Sequence, residues 1–393
     1  MLLELLIQLV PIPASILIAR LLGPSDRGQL AEILLIPGIV VTLMTCNWDK
    51  ILKGQLIGNP NLYNSIILKS YSLIFYQMMA ALVIILIMYA AGFWANFLDI
   101  KIAIFVILCI SFSQLSSNYL LSIYSCFVGV QTLYFIKFLG VFLYFILISL
   151  FLVFGEMQVM DALVVNQLTP IVYTLATVYI AKNSGFIFPK LKYLSFGEFI
   201  NNFKNIHIVI FDVLANNIDV IILLIFANHG FVGAYLSFKF LEFPFRIINL
   251  SFINGVTPIF KSIAGSDLNK YSLAITLLIV ISWLLLFLFS SYIDDAIILL
   301  LGEKFVDYLW MVEYVILYGA LSNILLVLQG IFLMESNIKY YNQSVLLISS
   351  VKIIFVPLFF YFFGVAGVYA ALVIASMFGI LHYLNFKFNI GYI

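Results

Sequence analysis

Two short sets of ionisable residues stand where the chain is otherwise apolar enough for lipid. Asp212, Asn216 and Asp219 fall at i, i+4 and i+7, on one face of a helix. Lys239, Glu242 and Arg246 fall at i, i+3 and i+7 and share a face of the next helix. A very short turn, Asn228-His229-Gly230, joins the two stretches, so those faces can lie side by side. An ionisable side chain at the centre of a transmembrane helix costs about 2.5–3.5 kcal/mol on the lenient insertion scale. Such a concentration of charge implies a polar interior, for which two readings stand. In one, Lys239 pairs with Glu242 and Arg246 with Asp219, and the network holds the helices together. In the other, Lys239 and Arg246 line a cavity for an anionic substrate, and Asp219, Glu242 or Asp212 exchanges a proton or a sodium ion. An arginine at one of these positions suits phosphate, because its planar guanidinium can grip two oxygens at once.

Further cations belong to the same question. Lys352 sits near the middle of a later apolar span with no acidic residue within a turn of it, so it must pair with another helix or face water. Lys137 lies only a few residues inside its span and can snorkel to the interface. Arg20 ends the first span and by depth fits an interfacial anchor. Pro11, Pro13, Pro37, Pro170, Pro244, Pro258 and Pro357 interrupt spans, each able to kink its helix for packing or for flexing.

Other chemistry is missing from the sequence. No G-x-x-x-x-G-K-[ST] occurs, so this chain carries no P-loop for ATP. His207, His229 and His382 are far apart and show no metal spacing. Cys46, Cys109 and Cys126 lie in or beside apolar runs without a C-x-x-C pattern and read as small buried hydrophobes. No large external loop could carry a catalytic apparatus, so the chain reads as a non-enzyme that needs no metal or organic cofactor.

The elements that position these residues are membrane helices. The chain of 393 residues is 64% hydrophobic and 9% charged, with a mean hydropathy of +1.16. Soluble domains carry about 25% charged residues. The net charge of +1 and the lack of a basic tail give no footing for nucleic acid. Its start, MLLELLIQLVPIPASILIA, has no basic leader and reads as a first span rather than a cleaved signal peptide. With about 20 residues needed per span, about twelve spans fit. They are 2–22, 29–48, 65–92, 101–124, 134–154, 160–181, 206–227, 231–258, 271–292, 309–334, 342–363 and 364–385. Turn chemistry marks the breaks at Leu22-Gly23-Pro24-Ser25, Gly58-Asn59-Pro60 and Asn183-Ser184-Gly185, while the one at Phe363-Gly364 is the weakest.

The expected fold is therefore an all-α polytopic membrane protein of two six-helix lobes. Residues 1–185 form the N-terminal lobe, a Lys-rich cytoplasmic connector covers 186–205, and 206–393 form the C-terminal lobe. Eleven of nineteen basic residues, Lys182, Lys190, Lys192 and Lys204 among them, fall at cytoplasmic ends if both termini lie inside. A faint repeat supports the halves. Phe154-Gly155-x-x-x-Val159-x-x-Ala162-Leu163-Val164 recurs at Phe363, and Gly28 recurs as Gly233, each opening the second helix of its half. Both halves keep one membrane orientation, which makes a parallel pseudo-twofold.

Several motifs resemble the Wzx-type O-antigen and polysaccharide flippases of the multidrug/oligosaccharidyl-lipid/polysaccharide (MOP) exporter superfamily. The first-span exit Ala19-Arg20-Leu21-Leu22-Gly23-Pro24 followed by Gly28 is similar to that family's opening. Asn216-Asn217-Ile218-Asp219, Val232-Gly233-Ala234-Tyr235, Pro258, Leu301-Gly302-Glu303-Lys304-Phe305 and Phe363-Gly364-Val365-Ala366-Gly367 follow in the family's order across nearly the whole chain. The chain departs from the family in beginning almost inside its first span. The resemblance implies two lobes around a basic cavity in the bacterial inner membrane. It also implies alternating-access transfer of undecaprenyl-diphosphate-linked oligosaccharide to the periplasmic leaflet, with a polysaccharide polymerase and glycosyltransferases as partners. It carries over Arg20 and Asp219; Lys239, Arg246 and Lys352 are added on charge and depth as diphosphate-binding residues. Rival readings are a multidrug antiporter of the same superfamily and a membrane-embedded polymerase or acyltransferase.

Overall fold

The computed structural model describes residues 9–45, 130–183, 206–242, 290–334 and 338–390, with residues 6–7, 76–80, 82–83, 86–87, 283–284 and 288. Every regular element among the described residues is helical. They are α1 (Pro11–Thr45), α2 (Val130–Phe154), α3 (Val159–Asn183), α4 (Ile206–Phe226), α5 (His229–Phe238), α6 (Ser290–Leu301), α7 (Met311–Met334) and α8 (Ile338–Ile390). Short 3-10 turns follow α5 at Lys239–Leu241 and α6 at Glu303–Tyr308. Arg246, the connector at 186–205, the span at 101–124 and most of those at 65–92, 231–258 and 271–292 lie outside the described residues.

Four helical stretches among the described residues are long and apolar enough to cross a membrane: Tyr134–Phe154, Val159–Ala176, Met311–Gln329 and Asn342–Asn385. The last is long enough for two crossings, and α8 bends inside it at Gly364 (φ 61°, ψ −144°), a conformation open almost only to glycine. That is where the weakest of the expected breaks, Phe363-Gly364, falls. The limbs come close there, for a Cβ at Gly367 would collide with the Phe359 carbonyl. Gly23 (φ 79°, ψ 178°) bends α1 in the same way, at the break expected after Leu22.

The chain divides into two compact units, residues 1–11 with 30–213 and residues 12–29 with 214–393. Residues 12–29 thus group with the second unit rather than with the rest of the first half.

In the first unit α2 and α3 form a hairpin. The Gly155 N–H closes α2 on the Phe151 carbonyl at 2.9 Å, and the Asp161 carboxylate accepts the Gln158 N–H at 2.9 Å where α3 begins. The helices approach closely at Gly140, where a Cβ would run into the Tyr173 ring. Tyr173 donates its hydroxyl to the Lys137 carbonyl at 2.8 Å, satisfying its polar tip inside the pair. The outer face of α2 exposes Phe135, Leu139, Phe142, Ile146 and Leu150 at helical spacing. A contiguous apolar face of that kind suits lipid, not water.

In the second unit α7 packs along α8, with Leu325, Ile348, Val351 and Ala375 at the centre and Phe355, Ile374 and Ile380 around them. Asn228 caps α5 by accepting the Phe231 N–H at 3.0 Å, which turns the chain sharply out of α4. The start of α5 presses on α1. A Cβ at Gly28 would meet the His229 carbonyl, and one at Gly233 the Pro24 carbonyl and the Gly28 backbone nitrogen. Glycine on both sides lets the backbones touch. This seam explains why residues 12–29 belong with the second unit.

Candidate functional site

The charges singled out in the sequence converge around Asp219. It lies on α4 just before the apolar run 220–226, and only 4% of its surface is exposed. The capped turn at Asn228 brings α5 back alongside, and α5 presents Tyr235 and Lys239, one helical turn apart, to the carboxylate. Tyr235 donates its hydroxyl to Asp219 Oδ2. Lys239 Nζ approaches the same oxygen at 3.3 Å and sits 4.4 Å over the centroid of the Tyr235 ring. The acid and its lysine differ in access, with side chains 6% and 28% exposed. Lys239 also begins the 3-10 turn, so the backbone that carries it leaves the regular helix at that point.

Two further elements complete the cluster. On α8, Lys352 is half-buried and adds its positive charge to the field at Asp219. Tyr369, fully buried, meets Tyr235 edge-on at 5.5 Å between centroids and stacks on Tyr314 of α7 at 5.6 Å. Its hydroxyl lies in the field of Asp219 and Glu242. Tyr318 of α7 contributes to the field at Tyr235. Glu242 closes the 3-10 turn, its N–H bonded to the Lys239 carbonyl at 3.0 Å. It is packed beside Gly319 of α7, where a Cβ would stand 3.1 Å from its Cγ. Asp219 Oδ1 and the Tyr369 hydroxyl are among the buried polar atoms here with no hydrogen-bond partner. Buried polar atoms are nearly always satisfied, so such atoms gathered in one cluster point to a site that takes something up.

The structure therefore gathers Asp219, Lys239, Glu242 and Lys352 from α4, α5 and its exit, and α8. The pairing differs from the sequence reading, because Lys239 joins Asp219 from across the turn instead of being reserved for Glu242 on its own helix. Asp212 lies on α4 two turns before Asp219, with its side chain outside the described residues, as is Arg246. Arg20 stands apart, exposed and donating to the Leu299 carbonyl of α6 at 3.1 Å. Sequence reasoning missed the tyrosines as site residues. Tyr235 had a signal, four residues before Lys239 on one helix face; Tyr369 had none, because only the fold brings it there.

No family model matches the chain, and no curated protein matches it in sequence. Solved structures do. A multidrug resistance MATE family transporter of the MOP superfamily, in an inward-facing conformation, superposes with a TM-score of 0.68. The match is 13% identical over 98% of this chain and 95% of the other. The lipid II flippase MurJ in an inward closed conformation follows at 0.64, with 14% identity over 98% and 86%. A MATE protein in a straight conformation gives 0.60, with 16% identity over 100% and 94%. The chain has the fold of these proteins. Its helical elements and apolar spans are consistent with a multi-pass membrane protein.

Proposed function

We propose that the chain flips lipid-linked oligosaccharide across a membrane. More narrowly, it moves undecaprenyl-diphosphate-linked repeat units from the cytoplasmic to the periplasmic leaflet of a bacterial inner membrane. It does so for O-antigen, capsular or exopolysaccharide synthesis, as the Wzx-type flippases it resembles do. The observation that carries this reading is the Asp219–Lys239 pair with the charge of Lys352 behind it, set inside an apolar unit of a fold shared with a lipid II flippase. Lysines that a fold keeps within such a unit have the sign required to receive a diphosphate. The lipid tail remains in the bilayer while Lys239, Lys352 and Arg246 hold the headgroup, and Arg20 meets it nearer the membrane surface. Asp219, Glu242 or Asp212 exchanges a proton or sodium ion as the site changes the side it faces. Both termini lie inside, and glycosyltransferases supply the substrate that a polymerase consumes.

The test is deletion of the gene in its host, with lipid-linked repeat units and surface polysaccharide followed together. Loss of surface polymer with single units trapped on the cytoplasmic side supports the reading. Units that reach the periplasmic side and remain unpolymerised support the polymerase alternative instead. The likeness to MATE multidrug transporters favours a second reading, export of organic cations. Under that reading deletion raises sensitivity to cationic drugs and leaves surface polysaccharide intact.

A further inference from the structure

We propose that Lys239 is a shared counter-ion: an arriving anionic headgroup takes it from Asp219, and Asp219 takes up a proton in its place. The proposal rests on the flippase reading above and specifies how substrate charge is handled at that site. Several features of the geometry support the exchange. The pair is asymmetric, for the Asp219 side chain is 6% exposed and the Lys239 side chain 28%. Lys239 is carried by a 3-10 turn and lies against an aromatic face that can hold a cation in either position. Among the described residues, the charges acting on Asp219 are Lys239 from the exit of α5 and Lys352 from α8. Glu242 acts with Asp219 on Tyr369, and the Tyr318 and Tyr369 hydroxyls act on Tyr235. Among the described residues, Asp219, Glu242, Lys239 and Lys352 sum to zero charge when all are ionised, and a diphosphate entering among them adds negative charge.

The step balances as follows. The hydrogen bond from Lys239 Nζ to Asp219 Oδ2 breaks, and the same N–H donates to a phosphate oxygen. Tyr235 keeps its bond to Oδ2. A proton from solvent adds to Asp219, whose Oδ1 has no hydrogen-bond partner. No carboxylate is left buried opposite an absent lysine, and binding one anion carries one proton into the site.

The test is calorimetric titration of the full chain, in nanodiscs of uncharged lipid, with farnesyl-diphosphate-linked glucose. Both phosphates of this probe are esterified, so its charge is constant across the neutral range. The expected result is uptake of about one proton per probe bound, read from the dependence of the heat on buffer ionisation enthalpy. The dissociation constant then rises about tenfold per pH unit. Asp219→Asn should bind with no proton uptake and a flat pH profile. Lys239→Gln, which leaves Lys352 as the cation acting on Asp219, should bind more weakly and with less proton uptake. Binding by the wild type without proton uptake overturns the proposal and leaves the flippase reading standing, as does uptake that survives Asp219→Asn. Absence of any binding overturns both.

Discussion

Removing the charge of Lys239 while keeping its length measures how strongly the site depends on the pair. At 3.3 Å and an effective dielectric of about 20, the gross attraction between the two charges is about 5 kcal/mol. Desolvation and screening reduce it. Exposed pairs contribute about 1 kcal/mol or less, while breaking a fully buried pair costs about 3–5 kcal/mol. With one partner 6% and the other 28% exposed, Lys239→Met should cost about 2 kcal/mol, between those limits. In a unit of this size that lowers the melting temperature by about 4–8 °C. The assay is a thermal melt in one detergent of the wild type, Lys239→Met, Asp219→Asn and the double variant. Each single change should destabilise, and the double variant should be more stable than the sum of the two by about 2 kcal/mol, because it leaves no lone buried charge. Simple additivity would refute the pair as an energetic unit and with it the role given to Lys239.

Other expectations follow from local geometry. Asn228→Ala removes the cap that accepts the Phe231 N–H and should cost about 1 kcal/mol, with Asn228→Asp restoring most of it; both are read as shifts in melting temperature. Gly233→Ala sets a methyl against the Pro24 carbonyl and the Gly28 backbone, neither of which is a side chain that can turn away. It should sharply reduce the yield of monodisperse protein. Gly38→Ala, where nothing lies within 4 Å, should leave yield unchanged, and equal yields for the two variants would remove the seam from the account. Asp294 lies just beyond the span read at 271–292. Its carboxyl is held above the usual carboxylate range by burial first, then by Glu313 and Asp295. A raised acid favours the fold while protonated, and that contribution is lost as pH rises from the ordinary carboxylate value through the raised one. Asp294→Asn should therefore raise the melting temperature at neutral pH and give no gain at acid pH.

Much of the local architecture was legible because lipid permits few alternatives. Long apolar runs with glycine at their ends can only be helices and bends; the bend at Gly23 falls where turn chemistry put it, and the one at Gly364 at the weakest of the expected breaks. Asp219, Lys239 and Lys352 were legible for the same reason, since ionisable groups in apolar runs stand out. What the sequence hid is partnership. Glu242 is three residues from Lys239 and looks like its natural partner. The Asn228 turn instead folds Asp219, twenty residues upstream of Lys239, onto the face that carries Tyr235 and Lys239. Tyr369 was hidden more deeply, because its place depends on α8 bending at Gly364 and packing on α7. Arg20 read as a substrate contact by resemblance; it is exposed and donates to the carbonyl of Leu299.

The most direct measurement is lipid transfer by purified protein in liposomes loaded with a fluorescent diphosphate-linked glycolipid, its leaflet distribution read by a membrane-impermeant quencher. The account predicts that the wild type equalises the leaflets. The Lys239→Gln/Lys352→Gln variant, incorporated at the same density and with the same elution profile, should leave the probe where it was placed. Transfer by that variant at the wild-type rate would contradict the account.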